Sequence, residues 1–219
     1  MKVVIQCAGA KQPHAGSLQA SDGRKVVFVA CPEIAPPREG ILYAHPDDPS
    51  PEGPTWRAII KDPKRKQRHA ESGLLPALDL YSNRIYGELG KAFERENVFI
   101  LSAGWGLITA DFLTPDYDIT FAHTKEMPWT RRSKKARRFC DFMMLRADPD
   151  EDVVFLGGQA YLPLFCALTS STPSRKIVFF NSTSPPSAHG CELRKYRTNC
   201  RTNWHYNCAK DLITHFIET

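Results

Sequence analysis

Apolar residues run without polar interruption at four places along the chain, residues 3–7 (broken only by Gln6), 98–101, 153–156 and 177–180. Each run ends in small or hydroxyl residues: Ala8-Gly9-Ala10-Lys11, Ser102-Ala103-Gly104-Trp105-Gly106, Gly157-Gly158-Gln159-Ala160 and Asn181-Ser182-Thr183. A strand that is apolar throughout, rather than in alternation, is buried on both faces, as in a parallel sheet covered by helices. Helical spacing fills the gaps. Tyr81, Ile85, Leu89 and Phe93 share one face, residues 137–145 read as a second helix, and 209–217 as a last one. The pattern predicts an α/β fold, a three-layer α/β/α arrangement with a central, mainly parallel four-stranded sheet. In such open sheets a ligand sits beyond the carboxyl ends of the strands, so the four small-residue loops are expected to converge on one cleft.

Residues 24–70 break this order. A strand fits 25–31, but Pro32, Pro36, Pro37, Pro46, Pro49, Pro51, Pro54 and Pro63 follow. Proline cannot donate to a ladder, so the stretch is expected to be a long surface excursion, at most with a small hairpin. Trp56 within it either anchors the excursion to the core or stacks on a base, and anchoring is the expectation. The whole of residues 1–219 then reads as a single domain carrying this insertion.

Composition narrows the partners. Hydrophobic residues make up 42% and charged residues 24%, ordinary for a globular protein, and no apolar run is long enough to span a bilayer. The seven cysteines are scattered, which fits reduced thiols, and the start of the chain turns polar too soon for a signal peptide, so a cytoplasmic monomer is expected. The net charge of +5 says less than its distribution. Arg131, Arg132, Lys134, Lys135, Arg137 and Arg138 put six cations in eight residues, residues 61–68 hold five, and Arg194, Lys195, Arg197 and Arg201 follow the last apolar run. Such clusters are either solvated faces or a nucleic-acid footprint, and the footprint is the expectation because one cluster adjoins the candidate cleft.

The run Asn181-Ser182-Thr183-Ser184-Pro185-Pro186-Ser187-Ala188-His189-Gly190 carries the clearest chemistry. Read alone, it is a proline-rich turn or a phosphate-binding loop with a histidine at its far end. It resembles the His-Pro-Ser-Pro-Leu-Ser-Ala-His loop of the uracil-DNA glycosylase superfamily, with Asn181 in place of the first histidine. The strand-plus-Gly-x-x-Ala unit at 153–160 and the helix segment 76–89 are similar to the same family. Ser102 to Leu107 and Pro115-Asp116-Tyr117-Asp118 resemble bacterial stress-related proteins of the YaaA type, which have been linked to DNA binding. One departure is large. The glycosylases carry Gly-Gln-Asp-Pro-Tyr-His after their first strand, where this chain has Gln6-Cys7-Ala8-Gly9-Ala10-Lys11. Neither the water-handling acid nor the thymine-excluding tyrosine is present.

The resemblance implies a DNA glycosylase that flips a base from duplex DNA, cuts its N-glycosidic bond without a cofactor and leaves an abasic site. The base expected is a modified one, and glucosylated hydroxymethylcytosine of phage DNA, an antiphage target, would suit a wide Gly/Ala-lined pocket. Breaking this bond builds positive charge on the sugar and negative charge on the base, roles for a carboxylate and for an imidazole or N–H donor. Asp116 or Asp118 is expected in the first role and His189 in the second, with Asn181 beside them; adjacent turn residues are expected not to face the sugar together. Gln6, Cys7, Gly9, Lys11, Ser102, Trp105, Gly106, Tyr117, Ser182 and Ser184 are candidates for holding the base. Ser187, Arg131, Arg132, Lys134, Lys135, Arg194, Lys195 and Arg197 are candidates for the DNA backbone. Cys191, Cys200, His205 and Cys208 form a weak candidate metal set, because they lack a tight Cys-x-x-Cys pair. A DNA-binding protein without catalysis, or a glycosidase acting on free nucleosides or nucleotides, are the alternatives.

Overall fold

The four apolar runs lie side by side. The computed structural model describes residues 1–122, 125–133 and 138–217. In chain order its strands are β1 (Lys2–Gln6), β2 (Lys25–Val29), β3 (Ile41–Ala44), β4 (Leu75–Pro76), β5 (Val98–Ser102), β6 (Gly106–Thr109), β7 (Leu113–Thr114), β8 (Tyr117–Asp118), β9 (Phe142–Met143), β10 (Val153–Leu156), β11 (Lys176–Phe180) and β12 (Glu192–Lys195). Its α-helices are α1 (Trp56–Lys61), α2 (Lys66–Glu71), α3 (Ile85–Ala92), α4 (Leu162–Leu168) and α5 (Trp204–Ile217). Among the described residues the main sheet has seven strands, not four, in the order β12-β11-β10-β1-β5-β6-β9. The four expected strands are its contiguous middle, all parallel, and only the β5–β6 pair is antiparallel.

Burial on both faces follows from the alternation within each run. Val3, Ile5, Val98, Ile100, Val154 and Leu156 point to one face, where Ile85, Tyr86 and Leu89 of α3 and Trp204, Cys208 and Ala209 of α5 cover them. Val4, Phe99, Leu101, Val153, Phe155 and Val178 point to the other, under Leu162 and Phe165 of α4. Helices on opposite faces mean opposite directions of winding. From β1 the chain crosses through α3 to β5, and from β10 it crosses through α4 to β11 on the far side. The loops after β1 and β10 therefore diverge, which opens the crevice of a doubly wound sheet between them.

Two expectations change. Residues 138–145 are not helical: Phe142–Met143 is a strand pairing in parallel with β6, and Arg137 lies outside the described residues. The pairing depends on Gly106, which has φ +89° and whose Cβ would stand 2.6 Å from the Phe142 carbonyl oxygen. The proline-rich stretch holds the small hairpin, with Pro49 bridged antiparallel to Thr55 and the Ser50 N–H donating to the Pro54 carbonyl oxygen at 2.8 Å, but it is more than a surface excursion. β2 pairs in parallel with β3 on one side and β8 on the other, forming a second sheet in the order β3-β2-β8. Trp56 is buried, edge-on to Phe28 of β2 at 6.0 Å, so it is an anchor. None of the described helices is long and apolar enough to cross a membrane.

Candidate functional site

The crevice at the ends of β1 and β10 is closed at its base by hydrogen bonds between its own loops. Gln6 Oε1 accepts the Gly158 N–H at 2.6 Å, which ties the end of β1 to the start of the β10 loop. Cys7 Sγ lies 3.1 Å from the Tyr161 hydroxyl and accepts the Ala103 N–H at 3.4 Å. Ser102 Oγ donates to the Tyr117 hydroxyl at 2.8 Å and accepts from the Gly104 and Trp105 N–H groups at 3.2 and 3.1 Å. The Tyr117 hydroxyl in turn meets that of Tyr81 at 2.9 Å. Burial holds the Tyr81, Tyr117 and Tyr161 phenols well above their ordinary range, so all three stay protonated and serve as neutral hydrogen-bonding partners.

Charge sits on the rim of this network. The Lys11 ammonium lies 4.6 Å from the Tyr117 ring centre, donates to the Tyr117 carbonyl oxygen and stands 3.6 Å from Asp116. Asp118 senses the same ammonium. Its carboxyl is held above the ordinary value chiefly by burial, reinforced by Asp116 and opposed by Lys11. Asp118 belongs to β8, so Asp116 and Asp118 are two apart around an inward Tyr117 and share one side. The expectation that only one of them can face the site came from reading a turn where the chain is extended.

The other candidates divide sharply. Gly9 is exposed on the rim, while Cys7, Ser102, Trp105, Gly106 and Tyr117 are buried. Trp105 has no open face for a base: Phe28 meets it edge-on at 5.0 Å, Tyr117 at 6.3 Å, and the Arg57 guanidinium lies 5.4 Å from its ring centre. Gly106 serves the β6–β9 contact described above. Asn181 and Ser182 do line a small recess beside Gly157, Gly158 and Trp204, next to the crevice. Asn181 donates to the Cys200 carbonyl oxygen at 3.2 Å, and Ser182 to that of Ser184 at 2.6 Å.

His189 is elsewhere. β12 runs parallel to β11 with Glu192 opposite Ile177, so the loop from Asn181 must travel back along the whole of β11 before β12 begins. Three residues ahead of Glu192, exposed His189 lies at the amino end of the sheet, about 10 Å or more from the carboxyl-end rim by strand rise. Ser184 and Ser187 are exposed along the way. The structure thus brings Gln6, Cys7, Lys11, Ser102, Tyr117, Asp116 and Asp118 together and leaves His189 out.

The basic candidates differ as much. Arg132 is committed inside the protein: it forms a two-pronged pair with Asp141 at 2.8 and 2.6 Å, donates to the Ala103 carbonyl oxygen at 2.8 Å, and lies 4.0 Å from the Phe139 ring centre. Arg194 pairs with Glu192 at 2.7 Å, Lys195 reaches the Thr183 carbonyl oxygen at 3.5 Å, and Arg197 is exposed. Lys134 and Lys135 lie outside the described residues. Arg131, Arg138, Phe121 and Phe139 line one open groove with Ala160 and Leu164. Phe121 joins groove to crevice, packing edge-on against Tyr161 at 4.9 Å. The metal candidates are not gathered: Cys200 donates to the Thr202 carbonyl oxygen, His205 and Cys208 are buried on α5, Cys191 precedes β12, and no group of three metal-type ligands occurs among the described residues.

Sequence reasoning missed Tyr81, Tyr161, Arg57 and Asp47. Tyr161 follows Gly157-Gly158-Gln159-Ala160 directly, and its place one residue past a small-residue loop was the available signal. Arg57 lies in the proline-rich stretch, and nothing local marks it. Its guanidinium pairs with Asp47 and donates to the Gly104 and Trp105 carbonyl oxygens at 3.0 and 3.1 Å. Compared with protein-family models, with curated proteins and with solved structures, the chain matches none.

Proposed function

We propose that the chain is an N-glycosidase of DNA that excises a modified base and leaves an abasic site. What carries this reading is the pair of carboxyls in unlike surroundings beside Lys11, at the carboxyl end of a parallel sheet. Two acids whose environments differ can divide acid and base roles between them. Asp118, half-buried and held in its protonated form to higher pH, donates a proton to the departing base. Asp116, its side chain 42% exposed, faces the sugar as positive charge develops, orients the water that attacks it and takes that water's proton. Lys11 steadies the Asp116 carboxylate, and the Asp118 carboxylate once its proton has left, and adds a cation near the leaving group. His189 has no part in this assignment. The groove of Phe121, Arg131, Arg138 and Phe139 supports a polymer substrate, since cations beside aromatic rings suit a nucleic-acid backbone with an unstacked base. With no acid or aromatic in residues 6–11, uracil is not the expected base.

The test is incubation with plain, uracil-containing and glucosylated hydroxymethylcytosine DNA, followed by measurement of abasic sites and released base. Asp118→Asn should slow single-turnover cleavage on the order of 100-fold, while His189→Ala leaves it unchanged. No abasic sites on any of these DNAs, with binding retained, would instead support the non-catalytic DNA-binding reading.

A further inference from the structure

A second cleft, remote in sequence from the carboxyl rim, lies between α2 and the segment at 18–21. Its volume is about 190 Å³. Arg65, Arg68, His69 and Ser72 line it at the i, i+3, i+4, i+7 spacing of one helical face, and Ser50, Trp56 and Ile59 lie across from them. The floor is formed by buried residues, Trp56, Ile59, Ser50 and His69. Arg68 and Ser72 are exposed at the mouth.

His69 is the informative group. It is 3% exposed, and its Nε2 lies 3.0 Å from the Ile59 carbonyl oxygen, which can only accept. Nε2 therefore carries the proton, and Nδ1 is left as a lone-pair acceptor in the neutral ring. Nδ1 has no hydrogen-bond partner among the described residues and is not one of the polar atoms sealed from solvent, so it opens onto the cleft that His69 lines. An acceptor that opens onto the cleft can take a hydrogen bond from whatever fills it, so a ligand hydroxyl can stand where solvent otherwise donates. At the mouth Arg65 is neutralised by Glu52, which also lines the cleft, at 2.9 Å and by Asp62 at 3.8 Å, whereas Arg68 has no carboxylate partner among the described residues.

We infer that this cleft binds a small phosphorylated polyol, with its phosphate on Arg68 and a hydroxyl donating to His69 Nδ1. A guanidinium matches the geometry of phosphate oxygens. The apolar wall of Trp56 and Ile59 suits the carbons of a sugar ring. The volume falls below the roughly 300 Å³ at which pockets begin to take drug-sized ligands, so the ligand is a sugar phosphate in size rather than a nucleotide. The inference stands apart from the glycosidase reading, since it uses none of the residues at the carboxyl rim.

Calorimetric titration of the full chain with ribose 5-phosphate, inorganic phosphate, ribose and a 5′-phosphorylated oligonucleotide tests it. Ribose 5-phosphate should bind about ten-fold or more tighter than inorganic phosphate, one hydrogen bond's worth, and ribose should give no heat. Arg68→Ala, an exposed change that spares the fold, should weaken both phosphate ligands about ten-fold. His69→Gln should bring ribose 5-phosphate down to the affinity of inorganic phosphate. Absence of binding at millimolar ribose 5-phosphate, or binding that Arg68→Ala leaves intact, overturns the inference. So does an oligonucleotide that binds more tightly than the sugar phosphate, because the site would then be a DNA-end contact.

Discussion

Arg57→Met should be among the most damaging single changes in the protein. The guanidinium is 4% exposed and has three partners: the Asp47 carboxylate, and the carbonyl oxygens of Gly104 and Trp105 at 3.0 and 3.1 Å. Phe142 and Trp105 flank it at 5.0 and 5.4 Å. Removing one partner of a buried pair costs about 3–5 kcal/mol, because the remaining charge is left without compensation. Each orphaned carbonyl adds up to ~1–3 kcal/mol, though methionine regains part of the apolar contact and these terms overlap. A net loss of about 4 kcal/mol is expected, a large share of the ~5–15 kcal/mol by which a domain is stable. Asp47 gives the pH signature. Burial alone would raise its carboxyl, but Arg57 and the Cys140 N–H outweigh burial and hold it below the ordinary value. A carboxyl depressed in the folded state contributes stability above its unfolded pKa of about 3.9 and loses it as pH falls through the folded value. The gap between parent and variant should therefore be full at pH 5–8 and shrink below about pH 4. Urea unfolding across this range measures it, with the double variant Arg57→Met/Asp47→Leu as control. The double should be more stable than Arg57→Met alone, since the stranded charge is gone. A loss below about 1 kcal/mol for Arg57→Met, or a double variant equal to the sum of the singles, would refute the account.

Three other outcomes follow from the same geometry. Gly106→Ala should cost about 2 kcal/mol or more in urea unfolding, because a Cβ there meets the Phe142 backbone at 2.6 Å at a φ of +89°. Burial lowers the His205 imidazole to about 4, so the unfolded chain takes up its proton first as pH falls from 6.5. Stability should drop by about 3 kcal/mol over that interval, and His205→Leu should flatten the drop in pH-dependent thermal unfolding. Burial pushes the Cys191 thiol up to about 11, with Cys166 adding to it, and the Cys208 thiol up to about 12. At pH 8 iodoacetamide should label exposed Cys140 well before either, as mass spectrometry of digests would show.

The core of the fold was legible because each middle strand states its own burial. Val98-Phe99-Ile100-Leu101 is apolar on both faces, and only a covered parallel strand needs that. β9 was not legible, since two residues of strand carry no period. Phe142–Met143 pairs where it does because Gly106, far earlier in the chain, has no side chain to hold it off. The rim of the candidate site was half visible. Asp116, Tyr117, Asp118 and Lys11 stand beside small-residue loops, and the position of a loop at a strand's carboxyl end is a local property. The position of His189 is not local. Whether its loop stays at that end depends on where the next strand starts, and β12 starts beside Ile177, at the opposite end.

The arginines make the same point through chemistry. In the sequence Arg132 sits among six cations and invites reading as a phosphate contact, while Arg57 stands alone among prolines and invites none. In the fold they are a matched pair. Arg132 with Asp141 holds the carbonyl oxygen of Ala103, and Arg57 with Asp47 holds those of Gly104 and Trp105. The N–H groups of the same three residues are taken by Cys7 Sγ and Ser102 Oγ. Every polar backbone atom of residues 103–105 is thus satisfied by a side chain, and three of those four side chains come from other segments. A loop with that much support cannot shift without breaking a buried charge pair, so Ser102 and the Tyr117 hydroxyl it bonds are held at fixed positions. A cation's fate is decided by the carboxylate that reaches it, and neither Asp141 nor Asp47 announces its partner in the sequence.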